Sequence, residues 1–436
     1  MSRSPASKGF PRRENWLWVL GSLTLFAACN RVTPDNIALW KTTEKGPHKL
    51  ADAVTDRGLD PELRAQAAAA LVDIGKAEDV EAELAAMPAA ERWEVLARLV
   101  PIFVARLSDP APEKALGFRD ALFSARAWAR PEDQALIDAA LLPGIERELR
   151  TGRVLNGRHS VQKILTAIGR PAGATLARLL GEPIPGYLAV AQLLSQVGDE
   201  AERERGAASL LARAEHERPI PAELWKAIGL LGGPAARKFL EGKVAAGADH
   251  DEALAAVRAL QERRDPSVLA FALATAGDAK ADRAIRDEMF GVIETVGGLE
   301  ARDGLIHIIQ TDRDEIVRYR AFESLLVVAK SEALVRGLEA FPAAAVYKRA
   351  DVEDLLVKLI EKLGPPARPA LVAALASSSP LARMTAVLSL EGLGRGADAA
   401  ALETLRADEA VIKGFPVGQS IGHEVARVAG VARSKP

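Results

Sequence analysis

Along most of the chain, apolar residues recur at three- and four-residue steps, the spacing that gathers them on one face of a helix. Three stretches show the pattern with its punctuation. Asp60-Pro61 opens one, which carries Arg64, Ala67, Leu71 and Gly75. Asp314-Glu315 opens a second, with Arg318, Ala321 and Leu325. Ser379-Pro380 opens a third, with Arg383, Ala386, Leu390 and Gly394. An Asp or Ser side chain accepts from the first free amides of a helix, and Pro suits its first turn. Glycine then supplies the left-handed position that stops the helix. The arginine just inside each cap (Arg64, Arg318, Arg383) is expected to reach an Asp or a carbonyl of the next unit.

Closing glycines stand at 75, 169, 198, 232, 297, 364 and 394, separated by 94, 29, 34, 65, 67 and 30 residues. These intervals lie near whole multiples of a period of roughly 29–34, the range of two-helix repeats. The missing marks fall near Ser108, Ala140, Arg264 and Lys330, each expected to be a helix end. A second helix follows Gly169 from Pro171 and follows Gly364 from Pro365. Between Met87 and Gly157 the spacing is irregular. The pattern predicts an all-α chain, an α-solenoid of about ten or eleven helix pairs with no second domain type.

The repeated phrase of leucine, glycine, proline and a helix ending in leucines resembles HEAT repeats, in their short bacterial form. The resemblance covers roughly Pro47 to Ile412. The Trp, Gly, Tyr and Pro pattern of tetratricopeptide repeats is absent. HEAT resemblance implies a curved face of successive helices that gathers a protein partner.

The N-terminus reads as an address. Arg3, Lys8, Arg12 and Arg13 precede thirteen uncharged residues, Trp16 to Ala28. A basic start, a short apolar core and small residues at the end make a secretory signal. Thirteen helical residues span about 20 Å, short of a hydrocarbon core of about 30 Å. Leu25-Phe26-Ala27-Ala28-Cys29 resembles the lipobox of bacterial lipoproteins, with Phe26 in place of the usual aliphatic residue. That resemblance implies lipidation of Cys29, the only cysteine of the chain. Asn30, rather than Asp, implies sorting to the outer membrane more than the inner, on the periplasmic side. The expected organisation is a signal peptide, 1–28; a lipidated tether and N-terminal cap, 29–46; HEAT-like repeats, 47–411; and a C-terminal loop and last helix, 412–436. Within the tether, Trp40 is expected on a short helix docked on the first repeat.

Composition narrows function mainly by exclusion. The net charge of −2 gives nucleic-acid binding no electrostatic support, and a single cysteine excludes an internal disulfide, a CxxC pair and a cysteine-rich zinc site. Removing the signal leaves a net charge of about −5, so the lipid rather than the surface is expected to hold the protein at anionic membranes. Gly418-Gln419-Ser420-Ile421-Gly422 matches a nucleophile-elbow motif without the strand before it or an acid and His far downstream. Gly392-Leu393-Gly394-Arg395-Gly396 resembles a phosphate loop but ends a helix. His216-Glu217 and His423-Glu424 are too few and too unlike in position for the di-iron site of the HEAT-repeat deoxyhypusine hydroxylases. His250-Asp251-Glu252 is expected in a polar loop.

The expectation is a non-catalytic, membrane-anchored interaction scaffold of the cell envelope, with an unidentified protein partner, no cofactor, no metal and no nucleic acid. The alternative is an enzyme or cofactor-binding protein on the same repeats, lyase-like or metal-dependent. Candidate partner contacts combine an aromatic with a cation: Trp128 with Arg130, and Tyr319 with Arg320.

Overall fold

The computed structural model describes residues 31–434, apart from Asn156 and 246–248. The expected signal peptide, the lipobox and Cys29 therefore lie outside the described residues. Among the described residues every regular element is helical, as the sequence predicts. The chain divides into two units: one runs to Gly186 and includes Gln196–Gly198, and the other takes Tyr187–Ser195 and the chain from Asp199.

In the first unit, Thr33 accepts from the Asn36 amide and Pro34 fills the first turn of α1 (Pro34–Trp40). Ile37 and Trp40 are buried, and α1 docks on α2 (Gly46–Thr55) and α3 (Pro61–Asp73). Lys41 fastens it to Asp73 at 2.6 Å. Trp40 thus sits where the pattern predicts. Then follow α4 (Ala77–Ala86), α5 (Ala89–Arg106), α6 (Pro112–Ala125), α7 (Pro131–Thr151), α8 (Val161–Ile168) and α9 (Arg170–Leu179). Through α7, most helices pack on the next and the next but one. The helix end expected near Ala140 does not exist. Ile137, Leu141, Ile145 and Leu149 are all buried at four-residue steps, and this stripe carries α7 past Pro143 to Gly152, at φ 69°.

The second unit holds α10 (Tyr187–Val197) as far as Ser195, then α11 (Glu200–His216), α12 (Ala222–Leu231), α13 (Pro234–Ala245) and α14 (His250–Gln261). It continues with α15 (Leu269–Gly277), α16 (Arg283–Val296), α17 (Gly298–Thr311), α18 (Glu315–Ala329) and α19 (Leu334–Glu339). Helix α20 spans 349–361 with a π-helical middle, Val352–Val357. After it come α21 (Arg368–Ala374), α22 (Pro380–Leu393), α23 (Ala399–Glu403) and α24 (Ile421–Arg433). From α12 to α24 each even-numbered helix packs on the next even one, and the short α23 packs on α24. From α15 to α21 the odd-numbered helices do the same. His250 opens α14, with Asp249 as its cap, and so is helical rather than in the expected loop.

Several glycine marks are not simple stops. Gly169 lies at φ 73°, ψ −130° and is at once the last cap of α8 and the first of α9. Gly297, at φ 64°, ψ −160°, joins α16 to α17 in the same way. This quadrant is closed to residues with a Cβ unless strain is tolerated. Gly394 is different: its backbone is extended at φ −70°, and a Cβ there would lie 2.4 Å from the Leu390 carbonyl oxygen. The mark expected at Lys330 is present without glycine, at φ 49°, ψ −134°.

The cap-proximal arginines are structural. Arg64, Arg318 and Arg383 each occupy the fourth helical position, as does Arg286, in a helix outside the three stretches. Arg64 donates to the Val54 carbonyl at 2.8 Å and to Glu91 at 2.6 Å. Arg286 donates to the Ala276 carbonyl at 2.8 Å and pairs with Asp312, whose own carbonyl accepts from Arg318 at 2.9 Å. Arg383 donates to the Ser377 carbonyl and to Asp408, both at 2.8 Å. The carbonyls belong to the end of the preceding helix or the turn after it, not to the following unit. A helix leaves its last carbonyls without intrahelical donors, and the guanidinium fork supplies them.

Candidate interaction surface

The sequence-predicted pair Trp128 and Arg130 lies in the first unit, but the two side chains do not stack on each other. The N-terminus of α5 brings Arg92 and Trp93. The short 3-10 turn Arg126–Trp128 after α6 brings Trp128, and Arg130 caps α7. The Arg130 guanidinium carbon stands 4.9 Å from the centroid of the Trp93 ring, and that of Arg92 stands 5.6 Å from the Trp128 ring. The Trp93 indole N–H donates to the Trp128 carbonyl oxygen at 3.1 Å. Two cation–π pairs are thus crossed between the N-terminal part of α5 and the segment that joins α6 to α7.

The support of this cluster is built from backbone. Arg92 donates to the Met87 carbonyl at 2.6 Å and the Ala85 carbonyl at 3.2 Å, closing the turn before α5. Gln134 donates to the Arg126 and Ala129 carbonyls, and Arg126 forks onto Asp138 at 2.6 and 3.0 Å. Trp93 remains 37% exposed, and Arg130 is exposed. The arrangement offers two indole surfaces and two cations that are held in place but not neutralised by carboxylates. Such groups suit a partner surface with acidic and apolar character. The sequence signal for the missing half was the Arg92-Trp93 dipeptide, mirrored by Trp128-Ala129-Arg130.

Tyr319 is not a surface anchor. It is 5% exposed, donates to Glu315 at 3.1 Å and meets the Phe341 ring at 5.7 Å. Burial first, then the Glu315 carboxylate, raises its pKa far above the ordinary range. Arg320 is spent on Glu294 at 2.9 Å and Glu323 at 3.0 Å. The second candidate pair therefore belongs to the packing of α16 and α18.

The remaining motifs also resolve into structure. Ser420 accepts from the His423 amide at 3.3 Å and caps α24, so the Gly418–Gly422 motif is a helix entry. Glu424 is 2% exposed and receives Arg349 at 2.5 and 3.1 Å. Asp398, behind the glycine-rich turn, receives Arg368 at 2.7 and 3.0 Å. Glu217 pairs with Arg213 at 2.6 Å, and His250 stands 3.7 Å from Asp282.

One pair not foreseen from sequence, Ser124 and His159, has nucleophile-and-base spacing, with Oγ 2.8 Å from Nε2. Its polarity is wrong for that role. The Lys163 ammonium is 3.4 Å from Nδ1 and can only donate, so the ring proton belongs on Nε2, pointing at Ser124. Burial, then the nearby Lys163 charge, lowers the His159 pKa. Among the described residues no cluster of three or more His, Cys, Asp or Glu side chains could hold a metal ion, and no helix is long and apolar enough to cross a membrane.

No protein-family model matches the chain, and no curated protein matches its sequence. Among solved structures, the crystal structure of an engineered protein from the Northeast Structural Genomics Consortium is 17% identical. The match covers 95% of each chain at a TM-score of 0.22, too low to carry an argument about fold or function.

Proposed function

We propose that this chain is a HEAT-like α-solenoid, exported and lipid-anchored through Cys29, that works as a non-catalytic interaction scaffold of the bacterial cell envelope. The two rows of alternating helices in the second unit support the repeat reading, because each unit of a solenoid buries its apolar face against neighbours. The observation that carries the interaction reading is the crossed Arg92–Trp128 and Arg130–Trp93 cluster, in which the Trp93 ring and the Arg130 cation stay open to solvent while Arg92 is half-buried. The protein partner would lay an acidic and apolar surface on it. Diacylglyceryl and acyl chains on Cys29 would supply the two-signal anchoring that one chain cannot, on the periplasmic side and in the outer membrane rather than the inner.

The test is crosslinked co-purification from native envelope, with the unaltered chain beside Trp93→Ala/Trp128→Ala. A partner retained by the first and lost from the second, with both equally folded by circular dichroism, supports the reading. Identical partner sets overturn the placement of the surface. For the anchor, Cys29→Ser is expected to leave the membrane fraction and lose the mass of the acyl chains. Unchanged association and mass would overturn lipidation.

A further inference from the structure

In the second unit, the C-terminal turn of α18 and the end of α20 enclose a groove of about 490 Å³. Its walls are Leu326, Val327, Leu359 and Leu363, and Val327 is left 54% exposed. Lys330 and Lys362 stand on its rim, both exposed. The one carboxylate in the lining, Glu323, is taken by Arg320 at 3.0 Å. Neither rim lysine has an ion-pair partner among the described residues. An apolar trough of this size is within the range of small-ligand sites, about 300–1,000 Å³, and its only uncompensated charges are two cations.

Lys330 is also the residue that breaks the chain's own rule. Its backbone, φ 49° and ψ −134°, resembles the conformation that Gly169 and Gly297 adopt at their helix junctions. Glycine would relieve the strain here as it does there. The helix dipole favours a cation near the end of α18, but a lysine at an unstrained neighbouring position would serve it equally. What the strained position alone provides is an ammonium at the mouth of the groove.

We propose that this groove binds a medium-chain carboxylate, with the alkyl chain along Leu326, Val327, Leu359 and Leu363 and the carboxylate between Lys330 and Lys362. A carboxylate there gains charge-assisted hydrogen bonds from both ammonium groups, and the chain removes Val327 from water.

The test is a calorimetric titration of the full chain with decanoate, decanol and decyl phosphate. Saturable binding of decanoate is expected, with decanol at least tenfold weaker. Lys330→Gln/Lys362→Gln should lose about tenfold for decanoate and leave decanol unchanged. Lys330→Gly guards against a folding artefact, because it is expected to melt higher than the unaltered chain while binding decanoate more weakly. No saturation by decanoate, equal affinity for decanoate and decanol, or full decanoate affinity in the double variant overturns the proposal. Tighter binding of decyl phosphate overturns the carboxylate assignment. Saturation by an N-acetylated trileucine acid without saturation by decanoate overturns it in favour of a peptide terminus.

Discussion

Arg130 reaches back to stack on Trp93, 4.9 Å from its ring centroid, across 36 residues of intervening chain. The contact joins the loop before α7 to the first turn of α5, while Arg92, the neighbour of Trp93, stacks on Trp128. A double-mutant cycle on Trp93→Ala and Arg130→Ala should return a coupling energy of about 0.5–1 kcal/mol, the range of exposed cation–π pairs. Urea unfolding of the four proteins measures it, and a coupling of zero would show that the two side chains do not interact in solution.

The buried pair of Arg286 and Asp312 is expected to be costly to break and cheap to replace. Side chains of both are at most 6% exposed. Arg286→Ala would strand the carboxylate and the Ala276 carbonyl, and should cost about 3–5 kcal/mol. Arg286→Met/Asp312→Asn removes both charges and should recover a large part of that loss. A double variant less stable than Arg286→Ala would contradict this account.

Glu424 gives the C-terminal helix an acid-sensitive attachment. Arg349 hydrogen bonds, against the opposing effect of burial, hold its carboxyl below the ordinary 4.5, with Arg427 adding to the effect. A carboxylate with a depressed folded pKa contributes stability that is fully present above its unfolded pKa and lost as pH falls through the folded one. The stability gap between the unaltered chain and Glu424→Gln should therefore be constant above about pH 5 and shrink below it. A gap that widens in acid would reverse the sign and sink the assignment.

Ala386 is fully buried in α22, so Ala386→Leu should overpack it and cost about 1–3 kcal/mol. His250, about half exposed beside Asp282, should tolerate His250→Ala within about 0.5 kcal/mol. Thermal melts of the two variants decide the comparison; a larger loss at His250 would mean that its contact with Asp282 carries more stability than an exposed pair should.

Lys330→Gly should stabilise the chain by about 1 kcal/mol. Strain of about 1–3 kcal/mol is relieved, and the greater freedom of glycine in the unfolded chain, about 0.5–1 kcal/mol, offsets part of it. A melt that falls would show that Lys330 occupies its conformation without cost.

The all-helical fold and many helix starts were legible because caps and first turns are local. Asp60, Asp314 and Ser379 each accept from an amide two or three residues away, a distance at which sequence and space coincide. Pairings across loops were not legible. Trp128 and Arg130 look like partners because they are neighbours in sequence, yet each finds its partner on α5. Tyr319 and Arg320 misled in a related way: successive helical residues project in different directions, so one enters the core while the other meets Glu294. Along α7, the period failed because a continuous buried stripe outweighs Pro143.

The glycine junctions decide where this chain can accept extra length. At Gly169 and Gly297 one residue serves two helices, so there is no slack between them. A single inserted residue would turn the following helix by about 100° about its own axis, swinging its buried stripe toward water. The stretches 182–186 and 278–282, which belong to no helix, can absorb the same insertion as loop. These two kinds of joint divide the molecule into stiff helix couples with adjustable seams, and grafted segments belong at the seams.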